Sequence, residues 1–273
     1  MAAIDLTKLE KQIEQLLALA ENPKGFQAQF HAILGFYHRY SHRKHKDAMP
    51  KSFMQHYDLP EKVLPQLQNR LRAIDPEAAL LNARQLWQDE YFEARDTASS
   101  LLGQIPISEK EKVFEQFLQW INEPLDRAVV ESLFNKAAKT LIEKAPSEWK
   151  DLIDRLLLDP KPQQQKMGLF ALAKLIPESQ SDDLPSFFNW VRPFLINPDQ
   201  KLDTSLRPVV AALAKRSSQE TAYLLREILT DSNDAEVGKR FRHYLEFFES
   251  ASQKRLFEAI KNQLVLPHSV SNL

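Results

Sequence analysis

The segment Tyr37–Lys46 brings together imidazole, cationic and aromatic side chains, so it is the first place to look for chemistry. His38, His42 and His45 are spaced i, i+4, i+7, and a helix would place all three imidazoles on one side. Such a donor set suits a transition metal. Arginines and lysines stand between the histidines, however, and packed cations repel a divalent ion. We therefore predict no metal site here.

The same segment is a candidate for binding a polyanion. Its cations are Arg39, Arg43, Lys44 and Lys46. The whole chain has a net charge of −1, but Lys24–Arg72 contains nine lysines and arginines against three acids. Lysine and arginine neutralise phosphates and give a salt-dependent affinity that does not depend on sequence. The sequence thus favours a phosphate contact, with an ordinary solvated charged face as the alternative. A shorter basic cluster, Lys239–His243, is a weaker candidate.

Other kinds of chemistry are poorly supported by the residue types present. The chain has no cysteine, which excludes disulfides, thiolate nucleophiles and cysteine metal sites. It contains no Gly-x-Ser-x-Gly, no Gly-x-x-x-x-Gly-Lys and no His-Glu-x-x-His motif. Carboxylate chemistry remains, and composition alone cannot choose among the 37 acidic residues.

The elements that would position such residues are predicted to be helices. The chain has 5 glycines and 16 prolines, a composition that disfavours hairpins and phosphate-binding loops and favours helices interrupted by proline. Apolar residues recur with helical spacing almost throughout, beginning with Leu6–Leu17. Ser108–Glu111 and Ser217–Glu220 have the form of capping boxes. No apolar run is long enough to span a membrane, and Met1–Leu6 does not resemble a signal peptide, so we expect a cytoplasmic protein.

The predicted helices form a repeat. The second helices of successive pairs start near residues 90, 126, 162, 202 and 235, a period of about 36 residues. This period is typical of an α-solenoid, in which each pair buries its apolar face on its neighbours. We predict an all-α fold, a right-handed solenoid of HEAT-like helical repeats, as a single domain over 1–273. Residues 1–75 would form capping helices, 76–264 the stacked pairs and 265–273 a tail.

Three short segments resemble a known family. Leu86–Ala98 resembles a signature of the HEAT-like DNA alkylation repair family, which are alkylpurine DNA glycosylases. Lys51–Pro60 resembles the entry segment before the family's third helix, and Lys144–Pro146 resembles its Lys-x-Pro turn. The resemblance covers about residues 26–230. It implies double-stranded DNA as the partner and hydrolysis of the N-glycosidic bond of N3- or N7-alkylated purines, with no metal or organic cofactor.

Family positions transfer to this chain only with substitutions. The catalytic aspartate of a Val-Asp-Ser segment falls on Glu131, within Val130–Ser132. The concave-face arginine that follows a glutamine falls on Lys166, which would contact DNA. The two tryptophans that flank the lesion fall on Arg127 and Pro208. The resemblance thus implies Glu131 as the catalytic residue and Lys166 and Arg127 as residues near the DNA.

These substitutions leave two functional hypotheses open. A carboxylate at Glu131 would stabilise the positively charged sugar or position the attacking water. Arg127 would repel a cationic lesion that an aromatic ring attracts, and it also suits a plain i, i+4 ion pair with Glu131. The alternative is therefore a non-catalytic HEAT scaffold that binds DNA or a protein partner. In either case we expect a monomer.

The chain's four tryptophans are candidates to replace the missing aromatic side chains. Trp149 and Trp190 lie among apolar residues and are predicted to be in the core. Trp120 fits either the core or the groove, and Trp87 lies within the family-like signature.

Overall fold

The computed structural model describes residues 5–38, 54–179, 183–197, 201–232 and 234–265. Within these ranges the regular elements are helices, and the one extended pairing is an isolated parallel bridge between Gln55 and Tyr91. The predicted all-α fold is confirmed. The chain divides into two compact units, Met1–Pro146 and Ser147–Leu273, and each is described by itself.

The first unit contains seven α-helices within its described residues. They are α1 (Leu6–Leu17), α2 (Pro23–His38), α3 (Val63–Arg70), α4 (Pro76–Trp87), α5 (Phe92–Gly103), α6 (Lys110–Ile121) and α7 (Arg127–Lys144). Short 3₁₀ turns at Leu71–Ala73 and Ile107–Glu109 follow α3 and precede α6. Helix α5 packs against both α4 and α7, so the second helices of successive pairs lie side by side.

The second unit repeats this arrangement. Its helices are α8 (Pro146–Leu158), which begins at the boundary, α9 (Pro162–Glu178), α10 (Leu184–Ile196), α11 (Asp203–Arg216), α12 (Ser218–Asp231), α13 (Ala235–Arg242) and α14 (Ser250–Val265). Helix α11 packs against α9 and α12, and α12 packs against α14. The observed second helices start at residues 92, 127, 162, 203 and 235, which confirms the predicted repeat to within two residues.

The tryptophans show where each core lies. Trp87 and Trp120 are fully buried in the first unit, with ring centroids 4.0 Å apart and planes 4° from parallel. Trp149 is fully buried in the second unit, as predicted. Trp190 was predicted to be in the core, but its ring is only half-buried because its Nε1 donates to the carboxylate of Asp154 at 2.6 Å. The three buried rings are thus core residues, and none of them replaces a groove aromatic.

Gly103 allows α5 and α7 to approach closely. A Cβ atom at this position would lie 2.2 Å from the carbonyl oxygen of Lys136, a distance no real Cβ contact shows. Because the obstacle is backbone, it cannot rotate away. The close packing of α5 against α7 therefore requires a residue without a Cβ atom at position 103.

Both capping-box predictions are wrong. Ser108 lies inside a 3₁₀ turn, so α6 begins only at Lys110. The start of α6 has no side-chain cap hydrogen bond. Ser217 is both the C-cap residue of α11 and the N-cap residue of α12, with the extended backbone usual for an N-cap, but its side chain makes no cap hydrogen bond. The helix predicted near 234–248 is also shorter: α13 ends at Arg242 and a separate 3₁₀ turn, Leu245–Phe247, follows.

Candidate nucleic-acid interface

The predicted catalytic carboxylate lies near the start of α7. Asp126 caps this helix, its carboxylate accepting the backbone N–H of Ala128 at 2.8 Å. One turn further on, Nε of Arg127 donates to Oε1 of Glu131 at 2.9 Å, and the two side chains are 66% and 39% exposed. An exposed i, i+4 pair contributes only about 0.3–0.5 kcal/mol. The Glu131 carboxylate is therefore accessible to water and easily separated from Arg127.

The other predicted DNA contacts are distributed along the chain. Lys166 is half-buried in the first turns of α9, and it makes no hydrogen bond or ion pair with any residue that the structure describes. It belongs to the second unit, whereas Arg127 and Glu131 belong to the first. The predicted cations Arg39, Arg43, Lys44 and Lys46 lie outside the described residues. Pro208 is exposed on α11.

Sequence reasoning missed a basic cleft in the first unit. The cleft has a volume of about 740 Å³ and is lined by the turn after α3, the end of α5 and the second half of α7. No carboxylate belongs to its described lining. Four cationic side chains line it: Arg72, Lys136, Lys139 and Lys144. The remaining polar groups of the wall are neutral amides and hydroxyls. A cleft with this charge balance attracts anions.

A buried carboxylate fixes one of these cations in place. Asp96 on α5 is 7% exposed, and its Oδ2 accepts from Nζ of Lys136 at 2.6 Å and from Nε2 of Gln68 at 2.8 Å. Its other oxygen accepts from the hydroxyl of Ser132 at 2.5 Å. The oxygen of Gln68 also accepts from Lys136 at 2.9 Å. Both carboxylate oxygens are thus occupied, so Asp96 positions Lys136 at the wall of the cleft.

The cleft lies next to the predicted catalytic residue. Residues four apart on a helix share a side, so Glu131, Asn135 and Lys139 form one row along α7. Asn135 and Lys139 both line the cleft. At 1.5 Å of rise per residue, Glu131 stands about 6 Å along the helix axis from Asn135. The row therefore places the exposed carboxylate of Glu131 beside the cleft, and it ends at Glu143, whose exposed carboxylate pairs with Lys139 at 3.9 Å.

A second hydrogen-bonded cluster is centred on Asp89, within the family-like segment Leu86–Ala98, and its residues line none of the described clefts. The carboxylate of Asp89 accepts hydrogen bonds from the side chain of Gln27 at 2.6 Å and from the backbone N–H of Tyr91 at 3.0 Å. It also forms a hydrogen bond with Nε2 of His31 at 2.7 Å. Nδ1 of the same imidazole meets the hydroxyl of Tyr57 at 2.7 Å. Burial acts to raise the pKa of Asp89, but these hydrogen bonds outweigh it and lower the pKa below its usual value. The cluster joins α2 to the segment before α3.

Two neighbouring groups have raised pKa values because they are removed from water. Burial, helped by the nearby Tyr91, raises the pKa of the Tyr57 hydroxyl to about 12. Burial also raises the pKa of Glu93, although that carboxylate accepts from the backbone N–H of Tyr57 at 2.9 Å. A tyrosine that stays protonated and a buried acid that accepts from the backbone suit a structural role.

A comparison with protein families identifies the family of the chain. The family model described as DNA alkylation repair enzyme matches residues 38–222, more than half of the chain. The chain belongs to this family. The matched range contains Arg127, Glu131, Lys166 and every residue that lines the basic cleft. No curated protein and no solved structure shows significant similarity to the chain.

Over the described ranges, no helix is both long and apolar enough to cross a membrane. The same ranges contain no cluster of three histidine, cysteine, aspartate or glutamate side chains with metal-binding geometry. Of the three histidines considered for a metal, only His38 is described, and its Nδ1 donates to the backbone carbonyl of Tyr57.

Proposed function

We propose that this chain binds alkylated duplex DNA through its phosphates and hydrolyses the N-glycosidic bond of N3- or N7-alkylated purines, with Glu131 as the catalytic carboxylate. The observation that carries the proposal is the cationic cleft, whose described lining contains no carboxylate, one helical turn from the exposed Glu131 and inside the range that matches a DNA alkylation repair family. Phosphates would bind the cations while the carboxylate faces the damaged nucleotide.

The binding step uses the charges of the cleft. Each lysine or arginine that neutralises a phosphate releases counterions, so affinity falls as salt rises. Lys136 is held in one position by Asp96, which reduces the conformational entropy lost when it binds. We assign Lys166 and the cations Arg39, Arg43, Lys44 and Lys46 to further phosphate contacts, on the basis of their charge.

The chemical step is a hydrolysis. An alkylated purine carries a positive charge, so it leaves readily and needs no resident cofactor. The oxygen of a water molecule forms a bond to C1′ of the sugar while the C1′–N bond breaks. The electron pair of the broken C1′–N bond stays on the purine and neutralises its positive charge. Glu131 stabilises the charge that develops on the sugar and takes the proton of the water. Arg127 moves from Glu131 to a neighbouring phosphate, which the weak exposed ion pair allows.

The test of catalysis is base release from N7- and N3-alkylated duplex DNA. The Glu131→Gln variant keeps the size of the side chain but removes its charge, so release should fall by about 10²–10³-fold, the range for losing one electrostatic catalyst. Glu115→Gln is the matched control, because Glu115 is an exposed acid on α6 that does not line the basic cleft. Equal release by the wild type and Glu131→Gln would refute the catalytic assignment.

The test of binding is the salt dependence of duplex affinity. Replacing Lys139 and Lys144 by glutamine should reduce the slope of log affinity against log salt by about 0.9 for each phosphate that is no longer neutralised. A variant with Lys112 and Lys110 replaced by glutamine loses the same charge on α6, where neither side chain lines this cleft. An equal change in both variants would show that the cleft has no special role.

A second function is favoured by one observation. Arg127 already pairs with Glu131, at a position where the resemblance places an aromatic ring. In this alternative the chain is a non-catalytic scaffold that binds DNA or a protein partner. It predicts salt-dependent duplex binding without base release, or no duplex binding when the partner is a protein. The two assays above distinguish these outcomes.

A further inference from the structure

A second cleft, also of about 740 Å³, opens within the second unit between α10, α12 and α14. Its floor is apolar, and its walls carry arginine and aromatic side chains. The charged and aromatic residues of its lining are Arg216, Arg226, Arg255, Phe188, Tyr223 and Glu220. Lys166 lies on α9, which contributes nothing to this cleft. The cleft is thus a separate feature from the interface proposed above.

The charge of the cleft is positive. Arg226 and Arg255 are exposed and form no ion pair with any described residue. Arg216 is fixed at the wall, because its Nη1 donates to the carbonyl oxygens of Ile176 at 2.7 Å and Ser179 at 3.0 Å. Glu220 is the one acid in the described lining, against three arginines. Guanidinium groups bind phosphate oxygens in a bidentate manner, so this wall suits a phosphodiester.

The aromatic side chains narrow the class of ligand. Tyr223 is 67% exposed, although burying an aromatic ring is normally favourable, and Phe188, which is half-buried, lines the same cleft. Unstacked bases pack on aromatic rings, whereas a duplex backbone presents only phosphate and sugar to a surface. An acidic peptide would match the arginines but would leave these rings without a stacking partner. Rings and arginines in one cleft therefore match a nucleotide best.

We propose that this cleft binds nucleotides of single-stranded DNA, with a base stacked on Tyr223 and Phe188 and the flanking phosphates on Arg226 and Arg255. A neighbouring depression formed by Arg226, Lys254, Arg255 and Glu258 extends the positive surface beyond the cleft for the adjoining phosphate. The proposal is independent of the glycosylase activity, since it concerns other residues in the other unit.

The probe is a fluorescently labelled oligothymidylate of about ten nucleotides, within the 4–16 that a single-strand site occupies. Binding to the full chain is followed by anisotropy. Tyr223→Ala should weaken binding about tenfold, the loss expected from one stacked base, while Tyr223→Phe keeps the ring and the affinity. The Tyr223 ring is largely exposed, so neither variant should disturb folding. Equal affinity of Tyr223→Ala and wild type would overturn the proposal.

The arginines are tested through the salt dependence of the same complex. Replacing Arg226 and Arg255 by serine should lower the slope by about 0.7 for each phosphate of the single strand that is no longer neutralised. Arg155→Ser is the control, as an exposed arginine on α8 outside this cleft. If Lys139→Gln in the first unit weakens oligothymidylate binding and the arginine changes do not, the site is the other cleft and the proposal fails. Displacement of the oligothymidylate by polyglutamate of equal charge, at equal concentration, would indicate an acidic protein partner and overturn the nucleotide assignment.

Discussion

Replacing Asp96 by asparagine is expected to destabilise the first unit by about 2–3 kcal/mol and to free a cation of the basic cleft. The wild-type carboxylate accepts three hydrogen bonds, from Lys136, Gln68 and Ser132, and is 7% exposed. Asparagine can keep its oxygen toward Lys136 and Gln68, while its NH2 group faces the Ser132 hydroxyl, which must then accept instead of donate. The change therefore removes the charge partner of Lys136 and reverses one buried hydrogen bond.

The magnitude depends on how well Lys136 can be rehydrated. Removing one partner of a fully buried ion pair costs about 3–5 kcal/mol. Here the Lys136 side chain is 30% exposed and the Asp96 side chain 10%, so water recovers part of the ammonium's solvation. The expected loss is thus below the fully buried range. Glu143→Gln on the same helix, whose side chain is 42% exposed, should change stability by less than about 0.5 kcal/mol.

The assay is urea unfolding followed by tryptophan emission, since Trp87 and Trp120 report on the first unit. A double-mutant cycle of Asp96→Asn with Lys136→Met isolates the pair, and the expected coupling is about 1–2 kcal/mol. A coupling of zero, or a loss for Asp96→Asn no larger than for the Glu143 control, would show that the carboxylate does not hold the lysine, and the positioning argument would fail.

Three further predictions concern the first unit. Gly103→Ala should destabilise it by about 1–3 kcal/mol, because the new Cβ meets the carbonyl of Lys136; urea unfolding indistinguishable from wild type would contradict the close approach. The pKa of Asp89 is lowered in the folded state, so its stabilising contribution is fully present above its unfolded pKa of about 3.9 and is lost as the pH falls through the folded pKa; thermal unfolding between about pH 5 and 2 should depend less on pH in Asp89→Asn. Spectrophotometric titration should find two tyrosines of pKa about 12, Tyr57 and Tyr244, and only one of them in Tyr57→Phe; loss of an ordinary tyrosine instead would show that Tyr57 is solvated.

The helical repeat was predictable because it depends on local periodicity. Apolar spacing and the prolines between helices place the starts of α5, α7 and α9 within two residues of their positions. The caps were less predictable, because Ser108 and Ser217 satisfy a sequence pattern while the chain path around them does not form the cap. Aspartates at other helix starts make the side-chain contacts that the serines were expected to make.

The basic cleft was not predictable from linear clustering. Arg72 lies after α3, whereas Lys136, Lys139 and Lys144 lie on α7, and only the packing of α3, α5 and α7 brings them to one wall. Sequence inspection favoured the contiguous cations of 39–46 because they adjoin along the chain. Asp96 was visible only as part of a family-like segment, and its link to Lys136 requires the α5–α7 contact.

The Trp87–Trp120 pair makes the first unit observable by optical means. The two indoles come from α4 and α6, the first helices of successive pairs, and stack with centroids 4.0 Å apart and an interplanar angle of 4°. Electronic transitions of two chromophores this close couple through space, and the coupling decays steeply with separation. Circular dichroism of this pair would therefore follow the docking of one helical pair on the next without any attached label, and would register a slip between them even when the helix content stays constant.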